Sequence, residues 1–176
     1  MLRPEEHEHF TDFGQIKKDV FILLNLGYGL NRLLEDSEED VESRKNSALF
    51  REYGKMYANE ISSRLIKIAV SSRILDDRLI NSKSDVIASK FDHEEDMLGD
   101  DENGEPINLR YCFNKIIHAS SIDHELLQLP EVYLSGEHQN GKKWHVRLFL
   151  LPFCGAIYQW IDHCQQIWLN SGSQNA

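Results

Sequence analysis

Three polar residues, Arg110, Asn114 and His118, stand four positions apart in the stretch from Asn108 to Ser120. On a helix, residues at this spacing are neighbours, so a guanidinium, an amide and an imidazole would lie in one row. An imidazole can accept or donate a proton near neutral pH, and a guanidinium can hold an anion through two hydrogen bonds. The row is therefore the best candidate for chemistry in the chain.

The stretch around this row predicts an amphipathic helix, with Asn108 as its N-terminal cap after the helix-stopping Pro106. At the helical period its apolar residues fall in one arc and its polar residues in the opposite arc. The apolar arc holds Leu109, Cys112, Phe113, Ile116, Ile117 and Ala119, and the polar arc holds Arg110, Tyr111, Asn114, Lys115 and His118. The same pattern also fits the ordinary hydrated side of a helix, and that alternative stays open.

The string N-K-I-I-H-A, from Asn114 to Ala119, resembles the signature of the HEPN superfamily. Members are small helical-bundle proteins of toxin–antitoxin and phage-defence systems, and many are metal-independent RNases. Their motif is an arginine with a polar residue beside it and a histidine a few residues later. Asn114 and His118 match the polar residue and the histidine, whereas Phe113 stands where the arginine should be. Similar strings also occur in uncharacterised bacterial proteins with the same helix-then-hairpin layout.

The resemblance implies that this chain cleaves RNA without a metal or other cofactor. In that interpretation His118 is the acid or base, and Arg110, one residue beyond the usual spacing, clamps the phosphate. Asn114 orients the histidine or contacts the sugar, while Tyr111 and Lys115 assist in substrate binding. One histidine is insufficient to carry out both proton transfers easily. HEPN RNases resolve this by pairing two motifs across a homodimer, so the resemblance predicts a homodimer in which the site helices of two copies face each other. A cognate antitoxin or another operon partner is a further expectation, and a non-catalytic helical interaction module is the alternative.

The net charge and the cysteine content argue against some classes of function, such as broad nucleic-acid binding and zinc binding. The net charge of -10 argues against a broad, salt-driven surface for nucleic acid, but leaves room for a small site with one or two cations. The three cysteines match neither a disulfide framework nor a zinc motif, and free thiols are typical of the cytoplasm. No apolar run is long enough to span a bilayer, and the acidic N-terminal stretch lacks a signal-peptide core, so we expect a cytoplasmic protein.

Periodicity predicts a mainly α fold, a helical bundle of about four principal helices with one β-hairpin near the C-terminus. The helices are expected at 15–34, 47–80, 108–120 and from Pro152 onward. In the second of them, Arg73 and Asp77 either form an exposed pair or face the site helix and orient its polar row. The hairpin is expected at 131–150, because two alternating runs flank the turn dipeptide Asn140-Gly141.

The chain is expected to form a single domain over residues 1–176. Flexible ends are expected at about 1–10 and 170–176, and an acidic, hydrated loop at about 92–107. The acidic stretch 35–45 is predicted to be an exposed loop or a helix end.

Overall fold

The computed structural model describes residues 13–36, 41–82, 84–91, 97–125 and 130–173. Within this part of the chain the helices are α1 (Phe13–Asp36), α2 (Val41–Asn46), α3 (Ala48–Asn81), α4 (Leu109–His118) and α5 (Leu150–Ser173). The strands are β1 (Gly99–Asp101), β2 (Ser121–His124), β3 (Glu131–Glu137) and β4 (Lys143–Phe149), and Ala88–Lys90 form a short 3₁₀ turn. The prediction of a mainly α protein with four principal helices, α1, α3, α4 and α5, is confirmed.

The long helices pack through the apolar stripes that their sequences carry. α1 lies against both α3 and α5, and α3 also lies against α4. In α1, α3, α4 and α5, residues spaced three and four apart lie on one side of the helix and pack into one shared cluster of buried side chains, as is typical of amphipathic helices. In α1 the fully buried members are Val20, Leu23 and Leu30, and in α5 they include Phe153, Ile157, Trp160 and Ile161.

The four strands form one antiparallel sheet in the order β1-β4-β3-β2. The prediction of one hairpin is therefore correct for β3 and β4 but incomplete, because a short strand is added at each edge. β2 pairs with β3 and β1 pairs with β4. Both added strands are short and rich in polar residues, so neither carries the apolar alternation by which a strand is recognised. Their pairing comes from the hairpin beside them, and tertiary context of this kind overrides local propensity.

The region expected to be an acidic loop is in part ordered by its own turn. The carboxylate of Asp101 accepts hydrogen bonds from the backbone N–H groups of Asn103 and Glu105 at 2.8 and 3.1 Å. Gly104 adopts a positive φ of 79° within this turn. Residues 92–96 of the expected loop lie outside the described residues, as do the expected flexible residues 1–10 and 174–176. Residues 170–173 continue α5 instead of starting the expected flexible end.

The hairpin lies directly against the C-terminal end of α4. The backbone N–H of Ser120 donates to the carbonyl of Ser135 at 2.8 Å, which joins the residues after the helix to β3. One residue further, a Cβ atom on Gly136 would lie 2.3 Å from the Trp144 ring and 3.0 Å from the carbonyl oxygen of His118. Gly136 is thus required by this close approach, and it lets β3 and β4 reach the last turn of α4.

Replacement of Gly136 by alanine should destabilise the protein by about 1–3 kcal/mol, since the new methyl group would displace the buried Trp144 ring. Urea denaturation followed by circular dichroism would measure the change. Gly155 is the matched control, because a Cβ there meets no atom within 4 Å and the residue lies inside α5. Gly155→Ala should stabilise by roughly 0.5–1 kcal/mol. Equal stabilities for the two variants would contradict the close packing of Gly136.

Candidate functional site

The site helix α4 presents two chemically distinct sides, as its pattern predicts. Asn108 caps it, because its side-chain oxygen accepts from the backbone N–H of Tyr111 at 2.9 Å. The buried side includes Phe113, which is fully enclosed and contacts the rings of Phe153 and Trp160 at centroid distances of 6.3 and 5.6 Å. A charged residue at position 113 would have to enter this apolar core. The position that holds arginine in the HEPN motif therefore has a packing role in this chain.

Arg110 points toward α3, where it pairs with two adjacent carboxylates. Its guanidinium donates to Asp76, which is completely buried, and to Asp77 at 2.9 Å. The other oxygen of Asp76 accepts from the backbone N–H of Ala88 at 2.7 Å. Arg110 thus neutralises a carboxylate that has no access to solvent, and its donors are directed at α3.

A second arginine reaches the polar row of α4 from α3. Arg73 donates from Nη1 to the side-chain oxygen of Asn114 and from Nε to Asp77 at 3.1 Å. Of the two arrangements open from sequence, the one in which Arg73 and Asp77 face the site helix is present. The Nη2 group of Arg73 has no hydrogen-bond partner among the described residues. It remains available for a further acceptor.

Asp77 joins the two arginines, and its pKa reflects them. Partial burial acts to raise the pKa of this carboxyl, but the hydrogen bonds and charges of Arg110 and Arg73 outweigh it, so the pKa lies below its ordinary value. The chain of contacts therefore runs Arg110, Asp77, Arg73, Asn114 and fixes the amide side chain one turn before His118.

An open cleft of about 980 Å³ lies between the polar side of α4 and the β3–β4 turn. Asn114, Lys115 and His118 form the wall contributed by α4, and His118 is exposed. The residues that line the other sides are Arg73, Glu137, His138, Gln139, Asn140, Lys142 and Trp144. Three cations and two histidines line this opening with one carboxylate, and two of the cations also have acidic partners outside the lining: Asp77 for Arg73 and Glu102, at 4.0 Å, for Lys142. The lining itself is richer in cations than in carboxylates, which suits it locally to an anion.

Lys115 is held at the edge of this cleft by two aromatic rings. Its Nζ lies 4.0 Å from the centroid of the Trp144 ring and 5.1 Å from that of Tyr111. Such cation–π contacts fix the position of the ammonium group while leaving its N–H donors free for a ligand. Partial burial lowers the pKa of Lys115, and the carboxylates of Glu102 and Asp101 oppose that shift.

The structure brings together three of the five residues singled out from the sequence. Asn114, Lys115 and His118 line the cleft, whereas Arg110 and Tyr111 lie beside it. Tyr111 is half-buried, which raises the pKa of its phenol, and its ring supports Lys115. Sequence reasoning missed His138, Lys142 and Trp144. The hairpin signal located the turn that carries His138 and Lys142 and the strand that carries Trp144, but nothing local indicates which helix the turn faces.

The polar residues of β2 do not line the cleft. His124 is half-buried and contacts the Ser62 hydroxyl at 2.9 Å, while Asp123 accepts from Ser121 at 2.7 Å. Within the described residues no three histidine, cysteine, aspartate or glutamate side chains form a group that could hold a metal ion. No helix in the described part of the chain has both the length and the apolar character needed to cross a membrane.

Removal of the Arg110 charge should cost about 3 kcal/mol of unfolding free energy, since it leaves the buried Asp76 carboxylate without its cation. The variant is Arg110→Met, measured by urea denaturation. Lys55→Met is the control, because Lys55 pairs with Glu52 on the exposed side of α3 and both are about 70% exposed. This control should change stability by less than about 0.5 kcal/mol. A loss for Arg110→Met no larger than that of the control would contradict the role of the buried pair.

The lowered pKa of Asp77 predicts a pH-dependent contribution to stability. A carboxyl whose pKa is lower in the folded state stabilises the fold above its unfolded pKa, near 3.9. That stabilisation is lost as the pH falls through the folded-state pKa. Asp77→Asn should therefore be less stable than the wild type at pH 7, with the difference shrinking in acid.

Urea denaturation at a series of pH values would test this expectation. Asp85→Asn is the control, since the Asp85 side chain is fully exposed and lies 3.4 Å from Lys90. It should change stability at pH 7 much less than Asp77→Asn does, because a fully exposed ion pair contributes little to stability. If the Asp77→Asn deficit stays constant down to acid pH, the ionised carboxylate is not what stabilises the contact with the arginines.

Comparisons with protein-family models, with curated proteins and with solved structures each find no match to this chain.

Proposed function

We propose that the cleft binds the phosphodiester backbone of RNA and that the protein is a HEPN-like, metal-independent endoribonuclease. The observation that carries this proposal is the convergence of Arg73, Lys115 and Lys142 on one opening that also holds His118. The chain as a whole has a net charge of -10, so a group of three cations beside one histidine differs from its overall acidic character. Guanidinium and ammonium groups bind phosphate through charge-assisted hydrogen bonds. In RNA each phosphate lies beside a ribose 2′-hydroxyl, which is the nucleophile that an imidazole could activate.

The reaction requires no group beyond the side chains of the cleft. His118 is exposed and can exchange a proton with the ribose 2′-hydroxyl or with the departing 5′-oxygen. Asn114, fixed by Arg73, directs the substrate or the imidazole. Arg73 supplies the guanidinium for the phosphate, and Arg110 acts behind it by holding Asp77. The cation thus comes from α3 and replaces the arginine that the motif would carry at Phe113.

The resemblance to HEPN domains also suggests a cellular location, a biological system and partners for the protein. A HEPN-like RNase would act in the cytoplasm as part of a toxin or phage-defence type system. It would form a homodimer and be restrained by a cognate antitoxin or another operon partner.

A second candidate function is a non-catalytic helical interaction module. It is favoured by three exposed apolar residues, Ile66, Val70 and Ile74, which are 44%, 41% and 48% exposed. They stand four residues apart on α3 and so form a continuous row on its surface. In this candidate the row is the contact surface, and the ion pairs of α3 and α4 only stabilise the fold.

Cleavage of a fluorescent single-stranded RNA in the presence of EDTA tests the first candidate. Wild-type protein should yield fragments with 2′,3′-cyclic phosphate and 5′-hydroxyl ends, and His118→Ala should be at least ~100-fold slower because the proton transfer is lost. His145→Ala is the matched control, as an exposed histidine on β4 outside the cleft, and should retain full activity.

Two further controls sharpen this test. A substrate with 2′-O-methyl groups should resist cleavage, since it lacks the nucleophile. Thermal unfolding must show that His118→Ala remains folded. If wild-type protein leaves RNA intact, or if His118→Ala matches it, the RNase proposal fails and the interaction module is the better candidate.

A further inference from the structure

Cleavage of RNA by side chains alone needs two proton-transfer groups in one site. One group removes the proton from the ribose 2′-hydroxyl as its oxygen attacks phosphorus. The other delivers a proton to the 5′-oxygen as its bond to phosphorus breaks. A single imidazole on α4 would have to serve both faces of the phosphate. A second group on another side of the cleft meets this requirement directly.

The cleft contains such a group in the β3–β4 turn. His138 lines the same opening as His118 but comes from the hairpin, not from α4. Both imidazoles are exposed, so both can reach a bound ligand. Histidine is the side chain best able to donate and accept protons near neutral pH.

The turn that carries His138 is held by its own backbone. The N–H of His138 donates to the carbonyl of Lys142, and the N–H of Gly141 donates to the carbonyl of His138, both at 2.8 Å. Gly141 has the positive φ of 80° that this turn requires. The position of His138 is therefore set by a closed hairpin turn and not by a free loop.

The hairpin is in turn fixed against α4. Gly136, two residues before His138, lies close to the carbonyl of His118, and Ser120 bonds to Ser135. The contact of Lys115 with the Trp144 ring ties the second strand to the same helix. These contacts hold the two histidines in the lining of one cleft within a single chain.

We propose that His118 and His138 form the acid–base pair of the site, so that one chain contains the complete catalytic centre. This inference rests on the proposed RNase function and names the second proton-transfer group for it. The neutral imidazole takes the 2′-hydroxyl proton while the 2′-oxygen bonds to phosphorus. The imidazolium donates its proton to the 5′-oxygen while the phosphorus–oxygen bond breaks. The products are a 2′,3′-cyclic phosphate and a free 5′-hydroxyl, and no oxidant or metal is consumed.

The cations of the cleft bracket the phosphate between the two imidazoles. Arg73 and Lys115 approach from the helices, and Lys142 approaches from the same turn as His138. Charge that develops on the non-bridging oxygens is thereby met from both sides, which is the usual source of stabilisation for such a transition state. Glu137 is the carboxylate among the charged lining residues.

A leaving-group comparison tests the pair. The two substrates are a uridine dinucleotide and uridine 3′-(4-nitrophenyl phosphate), whose nitrophenolate departs without protonation. On the dinucleotide, His118→Ala and His138→Ala should each be at least ~100-fold slower than the wild type. On the activated ester, the variant that lacks the general acid should recover most of its activity, and the variant that lacks the base should not. His145→Ala should behave as wild type on both.

The outcomes separate this inference from the proposed function. If wild-type protein cleaves neither substrate, the RNase function fails and the pair fails with it. If the wild type cleaves and His138→Ala is equally active, the pair alone is overturned. Equal losses for both variants on both substrates also overturn it, since neither residue then protonates the leaving group. His138→Gln, which keeps a polar side chain in the exposed turn, repeats the measurement if His138→Ala unfolds.

A mixing experiment tests whether the site lies within one chain. His118→Ala and His138→Ala are combined in equal amounts after shared unfolding and refolding. If both histidines act from the same chain, every chain in the mixture lacks one of them and activity stays at the level of the variants. Restoration of about a quarter of wild-type activity would show that the pair is assembled between chains, which overturns the single-chain centre.

Discussion

The packing of α4 on α3 includes a buried charge, the carboxylate of Asp76. This side chain has no exposure to solvent, and an unpaired charge in that position would be strongly destabilising. It is balanced by the guanidinium of Arg110 on α4 and by the backbone N–H of Ala88 in the 3₁₀ turn. Three segments that are distant in sequence are thereby joined at one point. The angle and register of α4 on α3 follow from that requirement, because Arg110 reaches Asp76 only when the buried side of α4 faces the core.

The contact between Arg110 and Asp76 is connected to the polar side of α4 through the neighbouring residue Asp77. Asp77 stands next to Asp76 on α3, accepts from Arg110 and also accepts from Arg73. Arg73 in turn binds the amide of Asn114, so the position of the cleft-lining amide is coupled to the buried pair through two further ion pairs. Replacing such a network as a whole by apolar side chains of similar volume is often neutral for stability, whereas removing one partner alone is costly. What it supplies is one orientation of Asn114 and Arg73 relative to His118.

Local patterns in the sequence were sufficient for much of this arrangement. Each of three predicted features depends on only a few neighbouring residues, and each is present in the structure: the two arcs of α4, its Asn108 cap and the Asn140-Gly141 turn. The edge strands β1 and β2 were missed because their pairing is determined by the hairpin and not by their own polar sequences. The same limit applies to the cleft. Arg73 lies 41 residues from Asn114 along the chain, and only the packing of α3 on α4 brings them together.

The acidic character of the chain bears on which substrates could enter the cleft. With 29 acidic and 19 basic residues, the molecule repels a polyanion at long range, whereas the cations of the cleft attract a phosphate at short range. Salt screens charges beyond about 8 Å at physiological ionic strength, so the short-range attraction persists while the repulsion fades. A duplex would bring many phosphates close to a molecule with a net charge of -10. A flexible single strand can instead place one or two phosphates in the opening and leave the rest in solvent. For the proposed RNase, the net charge therefore favours short or locally unpaired RNA as the substrate over an extended, regular helix.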